Sequence, residues 1–124
     1  MSQESKFHMV LNSSGALEHT VKDMPVFEGG DVPGWHSRSV DANGIDVFMF
    51  KVEPNAEYPI HTAPGEWIGY FIKGSGTLML EDPKTKEVTS TPYEPGDVIY
   101  FGPDTPHGWK NGPEPGATLF IKVR

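Results

Sequence analysis

The amino-acid sequence predicts an all-β protein, a sandwich or barrel of short antiparallel strands. Fourteen Gly and twelve Pro are spaced between apolar runs instead of being clustered, which is typical of turns and not of disorder. No segment has the three-to-four-residue apolar spacing of a long amphipathic helix. The runs between the turns are rich in β-branched and aromatic residues, so we expect about eight to ten short strands.

The first thirty residues are weakly patterned. The stretches "LNSSGALEH" and "FEGGDVPG" indicate loops around short extended pieces, because Gly, Ser, Asn and Pro cluster there. We therefore predict an N-terminal arm at residues 1–30 and a β-barrel at residues 31–124. A chain of 124 residues has the length of one ordinary domain, and the arm is expected to belong to it.

Turn residues place the strands of the barrel in order. "WHSRSVD" and "IDVFMFKVEP" are joined through Asn43-Gly44, the pair best suited to a tight hairpin turn. "EWIGYFIKG" and "GTLMLED" flank residues 74–76 (Gly-Ser-Gly), which we predict as a second hairpin turn, and "DPKTKE" leads to "VTSTPYEPGD". The runs "VIYFGP", "HGWKN" and "ATLFIKVR" complete the set of predicted strands.

Charge and composition exclude several classes of function. The formal net charge is −7 and the sequence has no Lys/Arg cluster, which argues against nucleic acid as a partner. The absence of cysteine excludes disulfides, thiolate zinc sites and cysteine nucleophiles. No basic leader or apolar run of membrane length is present, so we expect a cytoplasmic protein without a membrane partner.

Two short motifs resemble those of the cupin superfamily, and they occur in the family's order. The first family motif holds two histidines separated by one residue, then a glutamate and a closing glycine. "NAEYPIHTAPGEWIGYFIKG" aligns with it by ending at Gly74. His61 takes the first histidine position, Ala63 the second and Trp67 the glutamate position. Two of the three ligands of this motif are therefore absent.

The second motif, "GDVIYFGPDTPHGWKN", matches better, with Gly96, His107 and Asn111 in register. Asp104 stands where the family has a glycine, and Asn55 replaces the opening glycine of the first motif. Asp and Asn tolerate left-handed backbone better than most residues, so both turns remain possible. The resemblance implies an antiparallel jelly-roll β-barrel, the cupin fold.

The resemblance also implies a site. In the family, three imidazoles and a carboxylate hold a first-row divalent metal. In this sequence, the alignment retains two of these ligands, His61 and His107. These would hold nickel, zinc, iron or manganese weakly, with water or substrate filling the remaining positions. Glu66 is a tentative third ligand, which needs a late strand start or a bulge to point inward. Without a metal, the two histidines would serve as a general acid/base pair.

Aromatic residues are expected to line the pocket around these histidines. Trp67 occupies a vacated ligand position, and Trp109 lies two residues after His107, on the same side of its strand. With Phe71 and Tyr100 they predict a pocket for a small planar or partly apolar ligand. Among the remaining histidines, His36 is the best candidate to enter the pocket.

Two classes of function stay open. The first is an enzyme acting on a sugar, keto acid or aromatic carbonyl compound, as a cupin-type isomerase, lyase, cyclase or dioxygenase. The second is a non-catalytic cupin that binds a small molecule as a sensor or binding module. We also predict a homodimer, because an apolar strand face formed by Ile68, Tyr70 and Ile72 would need to be covered.

Overall fold

The computed structural model describes residues 5–123, and this part of the chain is built from twelve strands without a helix. Residues 1–4 of the predicted arm and residue 124 lie outside it. The strands are β1 (Lys6–Ser13), β2 (Ala16–Asp23), β3 (Glu28–Gly29), β4 (Trp35–Ala42), β5 (Ile45–Val52), β6 (Glu57–His61), β7 (Glu66–Lys73), β8 (Gly76–Glu81), β9 (Val88–Tyr93), β10 (Val98–Phe101), β11 (His107–Asn111) and β12 (Gly116–Val123). Within residues 5–123, no helix exists that could cross a bilayer.

Two antiparallel sheets form the body of the molecule. One has six strands in the order β10-β7-β12-β5-β4-β3, and the other has four in the order β6-β11-β8-β9. Their inner faces pack together through aromatic residues: Phe71 of β7 stacks on Tyr93 of β9 at 4.1 Å between ring centroids. Trp35 of β4 meets Trp109 of β11 edge to face at 5.0 Å. The all-β jelly-roll prediction is confirmed.

The core between the sheets is largely aromatic. Its buried apolar residues come from eight strands: Trp35, Val52, Phe71, Leu78, Tyr93, Phe101, Trp109 and Phe120. Asn111 is also buried, and its side-chain amide donates hydrogen bonds to the carbonyl oxygens of Glu53 and Glu114. These bonds satisfy the buried amide and fix the chain at the end of β11.

The N-terminal segment differs from the prediction of loops and short extended pieces. β1 and β2 form a regular hairpin paired from Lys6↔Asp23 to Ser13↔Ala16. Its two-residue turn has Ser14 at φ 55° and Gly15 at φ 84°, the left-handed values that a tight hairpin turn requires. The pattern was obscured because β1 has apolar residues on both faces, so it lacks strict alternation.

The predicted turns are confirmed in two cases and wrong in one. Asn43 (φ 48°) and Gly44 (φ 79°) form the two-residue turn between β4 and β5, and the segment at 82–87 joins the paired strands β8 and β9. Residues 74–76, in contrast, do not close a hairpin. β7 pairs with β10 and β12, whereas β8 pairs with β9 and β11, so this segment carries the chain from one sheet to the other.

Candidate functional site

His61 and His107 face each other on adjacent strands. They are directly paired across β6 and β11, and their ring centroids lie 4.6 Å apart at an interplanar angle of 56°. β11 runs so close to β6 that a Cβ atom on Gly108 would stand 2.6 Å from the carbonyl oxygen of Tyr58. Glycine at this position therefore permits the approach that brings the two imidazoles together.

Backbone carbonyls determine which nitrogen of each imidazole carries the proton. Nδ1 of His61 lies 3.1 Å from the carbonyl oxygen of Pro59, and Nδ1 of His107 lies 2.7 Å from that of Thr105. A carbonyl oxygen only accepts, so both Nδ1 atoms must donate. The neutral rings therefore present Nε2 as a lone pair, which can accept a proton or ligate a metal.

His107 is the more deeply buried of the pair, at 6% exposure. Its ring stacks on Phe101 at 3.8 Å between centroids, with an interplanar angle of 10°. Burial lowers the pKa of His107 below its usual value, and the nearby His61 acts in the same direction, while the bond to Thr105 opposes them. His107 is consequently neutral at physiological pH.

Around the two histidines lies a small cavity of about 90 Å³ with mostly aromatic walls. Its lining consists of Phe50, Tyr58, His61, Ala63, Trp67, Phe101, His107, Trp109 and Phe120. Trp109 stacks between Tyr58 at 5.4 Å and Phe120 at 5.4 Å. Pockets for drug-sized ligands are usually about 300–1,000 Å³, so this cavity suits a small ligand, or one planar group of a larger ligand.

Four of the predicted site residues, His61, Trp67, His107 and Trp109, lie together in this lining. The indole of Trp67 packs against Phe48 at 5.3 Å and donates a hydrogen bond to the carbonyl oxygen of Pro64. The side chain of Trp67 thus lies at the cavity and is held in place by these two contacts.

Four residues predicted at the pocket lie elsewhere. β7 runs regularly from its first residue, so Glu66 points to the opposite side of the sheet from Trp67; there it is exposed and accepts a hydrogen bond from the Tyr100 hydroxyl. Tyr100 is directed to that outer side because Phe101 is the inward residue of β10. Phe71 is fully buried against Tyr93, away from the cavity. His36 is also outside, with Nε2 2.8 Å from Oε2 of Glu53.

The cavity has four further lining residues that were not predicted from the sequence: Phe50, Tyr58, Phe101 and Phe120. Tyr58 contacts His61 at a tilted angle and stacks on Trp109. Regular alternation would place Tyr58 on the opposite face from His61, but the register shift between β6 and β11 brings both to the same side. Phe50 and Phe120 come from the other sheet, where they pack edge to face at 6.0 Å. No local pattern identifies them, because only the packing of the two sheets brings them to the histidines.

Asp104 and Asn55 adopt left-handed backbone, with φ of 55° and 61°, as the sequence analysis allowed. The amide of Asp104 donates to the carbonyl oxygen of Ala63 at 3.0 Å. This bond ties the loop before His107 to the loop after His61. The replacements for the family's glycines therefore keep the turns that position both histidines.

The two histidines supply fewer donors than a divalent metal needs. Between residues 5 and 123, no group of three or more His, Cys, Asp or Glu side chains is arranged to hold a metal ion. His61 and His107 supply two imidazole nitrogens, whereas catalytic metal sites usually have three protein ligands. The residues present therefore do not form a complete metal site.

The profile of the Cupin domain family matches residues 48–122, more than half of the chain. No curated protein shows significant similarity to the chain. Among solved structures, the polyketide cyclase RemF from Streptomyces resistomycificus is 26% identical with a TM-score of 0.67, covering 79% of this chain and 72% of the cyclase.

Other solved structures share the fold at lower identity. A Bacillus subtilis oxalate decarboxylase variant is 21% identical with a TM-score of 0.65, and covers 73% of this chain but 25% of the decarboxylase. The DMSP lyase DddQ from Ruegeria pomeroyi is 13% identical with a TM-score of 0.66, covering 80% of this chain and 56% of the lyase. At such identities, the likeness extends to the fold alone.

Proposed function

The chain belongs to the cupin superfamily, and from this premise we propose that it is a small enzyme that transfers a proton on a planar, carbonyl-bearing organic substrate. The observation that carries the proposal is the orientation of the histidine pair. Both imidazoles line one aromatic cavity, and backbone carbonyls hold each Nδ1–H, leaving each Nε2 as a base. Imidazole titrates near neutral pH, which suits general acid/base catalysis.

The aromatic walls of the cavity favour a planar substrate. Flat aromatic side chains on several sides stack against planar groups, and the two imidazoles supply polar contacts. A substrate with a conjugated or aromatic ring and a carbonyl group matches this combination. The similarity to a polyketide cyclase favours a cyclisation or isomerisation of a compound of this kind.

In the proposed reaction, Nε2 of one histidine removes a proton from the carbon next to the carbonyl group. The C–H electron pair moves into the C–C bond as the carbonyl π pair moves onto oxygen, which gives an enolate. The imidazolium then returns the proton at a new position or to the oxygen. We assign the base role to His61, because its less buried ring accommodates charge more readily than the buried His107. His107, whose Nε2 is also an unprotonated acceptor, would position the substrate by accepting a hydrogen bond from one of its hydroxyl groups.

A divalent metal such as nickel, zinc, iron or manganese, if bound, would be held by the two Nε2 atoms and would supply a Lewis acid beside the carbonyl group. Because the donor set is incomplete, the proposed proton transfer is assigned to the imidazoles alone. The absence of ligands at Ala63 and Trp67 equally suits a non-catalytic cupin that binds the same class of compound.

Exchange of substrate protons with solvent distinguishes these two functions. The protein is incubated in D₂O with a panel of β-dicarbonyl compounds, phenolic ketones, keto acids and sugars, and deuterium incorporation is followed by NMR. We expect incorporation to fall by about a hundredfold or more in His61→Gln, with a smaller change in ligand affinity. His36→Gln is the matched control, since His36 lies outside the cavity.

Each result has a defined meaning. Incorporation that is equal in the parent, His61→Gln and His107→Gln would refute the acid/base role. Saturable quenching of tryptophan fluorescence without any incorporation would favour the binding module, because Trp67 and Trp109 line the cavity.

A further inference from the structure

His8 and His19 form a second histidine pair, outside the cavity. Nδ1 of His8 lies 2.9 Å from Nε2 of His19, and the two rings stack at 5.2 Å between centroids. Neither residue lines the cavity around His61 and His107. The proposed proton transfer makes no use of this pair, so its arrangement requires a separate explanation.

The register of the β1–β2 hairpin places both imidazoles on one of its faces. Residues directly opposite one another in an antiparallel pair project to the same side, and side chains alternate along each strand. His8 pairs with Val21, and Val10 pairs with His19. The two histidines are therefore diagonal neighbours on adjacent strands, a separation that ring-bearing side chains can bridge. Their contact links β1 to β2.

The histidine face of the hairpin is open to solvent. His8 and His19 are both exposed, whereas Phe7 and Met9, on the opposite face of β1, are partly buried. Lys22 also lies on that opposite face, where its ammonium group is 5.4 Å from the ring centroid of Phe7. An ion from solvent can therefore reach the two imidazoles without disturbing the packing on the other side of the hairpin.

The spacing of the two nitrogen atoms fits one metal ion. Imidazole nitrogens bind zinc at about 2.0–2.1 Å, so two of them at an angle of about 90–110° on one ion lie about 2.8–3.4 Å apart. The observed 2.9 Å between Nδ1 of His8 and Nε2 of His19 falls within this range. Without a metal, one ring donates a proton to the other. A bound ion takes the place of that shared proton, after a small rotation of the exposed rings.

Imidazole donors select the class of ion. They suit copper, nickel and zinc, whereas magnesium and calcium require oxygen ligands. In the part of the chain that the structure describes, no third His, Cys, Asp or Glu side chain completes a metal-binding group, and Asp23 on the same face accepts a hydrogen bond from Lys6. Water therefore fills the remaining positions. The net charge of −7 favours the binding of a cation.

The hairpin is an element that such an ion can stabilise. β1 and β2 form a two-stranded sheet of their own, and a two-stranded hairpin is at best marginally stable in water. An ion held by one ligand from each strand binds the paired strands and not the separated ones. Its binding free energy therefore adds to the stability of the pairing.

We propose that His8 and His19 form a surface site for a divalent transition-metal ion, namely zinc, nickel or copper, and that the bound ion links β1 to β2. The site makes the stability of the hairpin depend on the metal concentration. It is independent of the proposed proton transfer, because it uses other residues in another part of the chain.

Calorimetric titration of the full chain with zinc tests the site. We expect His8→Ala and His19→Ala each to weaken zinc binding by at least about tenfold, because losing a ligand costs no less than losing a supporting contact. His36→Ala is the matched control, since His36 is bonded to Glu53 and not to the hairpin pair. A parent that binds no zinc would overturn the proposal. Binding that is lost in His61→Gln but retained in His8→Ala would also overturn it, because the ion would then lie in the cavity.

Hydrogen exchange tests the link between the strands. With zinc at about a hundred times its measured dissociation constant, amides of β1 and β2 should exchange up to about a hundredfold more slowly. Amides of β8 and β11, which lie in another sheet, should not change, and magnesium at the same concentration should have no effect. Hairpin amides that exchange equally fast with and without bound zinc would refute the link between β1 and β2.

Discussion

Nδ1 of His107 donates a 2.7 Å hydrogen bond to the carbonyl oxygen of Thr105, two residues earlier in the chain. The loop that supplies this carbonyl is in turn bonded to Ala63 through the amide of Asp104. The tautomer of His107 is therefore determined by a loop that is connected to the neighbourhood of His61. The backbone around both motifs thus acts as one support for the histidine pair.

The first prediction concerns the pH dependence of stability. Burial lowers the pKa of His107 below the ordinary value of 6.5. As the pH falls through that value, the unfolded chain takes up a proton that the folded protein resists, so the free energy of unfolding should decrease. Urea denaturation between about pH 5 and pH 8 should show this decrease in the parent and a weaker one in His107→Gln. Parallel pH profiles would contradict the prediction.

Neighbouring residues explain why the sequence predicted only part of this site. His61 and His107 were found because motif spacing is local. The direction of Glu66 was left open because it depends on whether β7 begins at residue 66 or later. The structure has β7 regular from Glu66, paired with Val123, and the ordinary alternation then directs Glu66 outward. The direction of Glu66 therefore depends on the residue at which β7 begins.

Local sequence was also insufficient to predict every turn and every strand partner of the fold. Asn43-Gly44 was sufficient to predict a hairpin, because both residues favour positive φ, whereas Ser14-Gly15 closes an equally tight turn with a weaker local signal. The connection at residues 74–76 has the composition of a hairpin turn but joins two sheets. Local sequence reports where the chain turns, but the partner of the next strand depends on long-range packing.

The second prediction is that replacing Gly69, the inward glycine of β7, destabilises the protein. A Cβ atom on Gly69 would stand 2.3 Å from Cε1 of Phe120, whose ring also lines the cavity. Gly69→Ala should therefore lower the free energy of unfolding by about 1–3 kcal/mol, as measured by urea denaturation. Gly30→Ala, with nothing within 4 Å of the added Cβ, should be nearly neutral. Equal effects of the two substitutions would contradict the packing described here.

The third prediction concerns alkaline pH. Burial raises the pKa of Tyr93 to about 12 from its ordinary value of 10.0. Above the ordinary value, the unfolded chain releases a proton that the folded protein retains, so stability should be lost as the pH rises between these values. Tyr93→Phe should reduce this loss, and Tyr70→Phe, at a 46% exposed residue, should not. Thermal denaturation across this range, with identical slopes for both variants, would count against the burial of the Tyr93 hydroxyl.

The last prediction concerns the two vacated ligand positions. Ala63 and Trp67 both line the cavity that contains His61 and His107. Ala63→His combined with Trp67→Glu should therefore complete a set of three imidazoles and one carboxylate, and nickel affinity should rise by more than about tenfold even without optimised supporting contacts. Circular dichroism must first show that the variant is folded, because Trp67 also packs against Phe48.

The hairpin contains a competing histidine pair, which the measurement must remove. Nδ1 of His8 lies 2.9 Å from Nε2 of His19, so the two imidazoles could bind nickel together. Calorimetric titration should accordingly be performed in a background of His8→Ala and His19→Ala. If parent and redesigned protein then bind nickel equally, the two positions do not face a common metal centre. If the gain disappears on His107→Ala, the new ligands act through the existing pair, as the geometry requires.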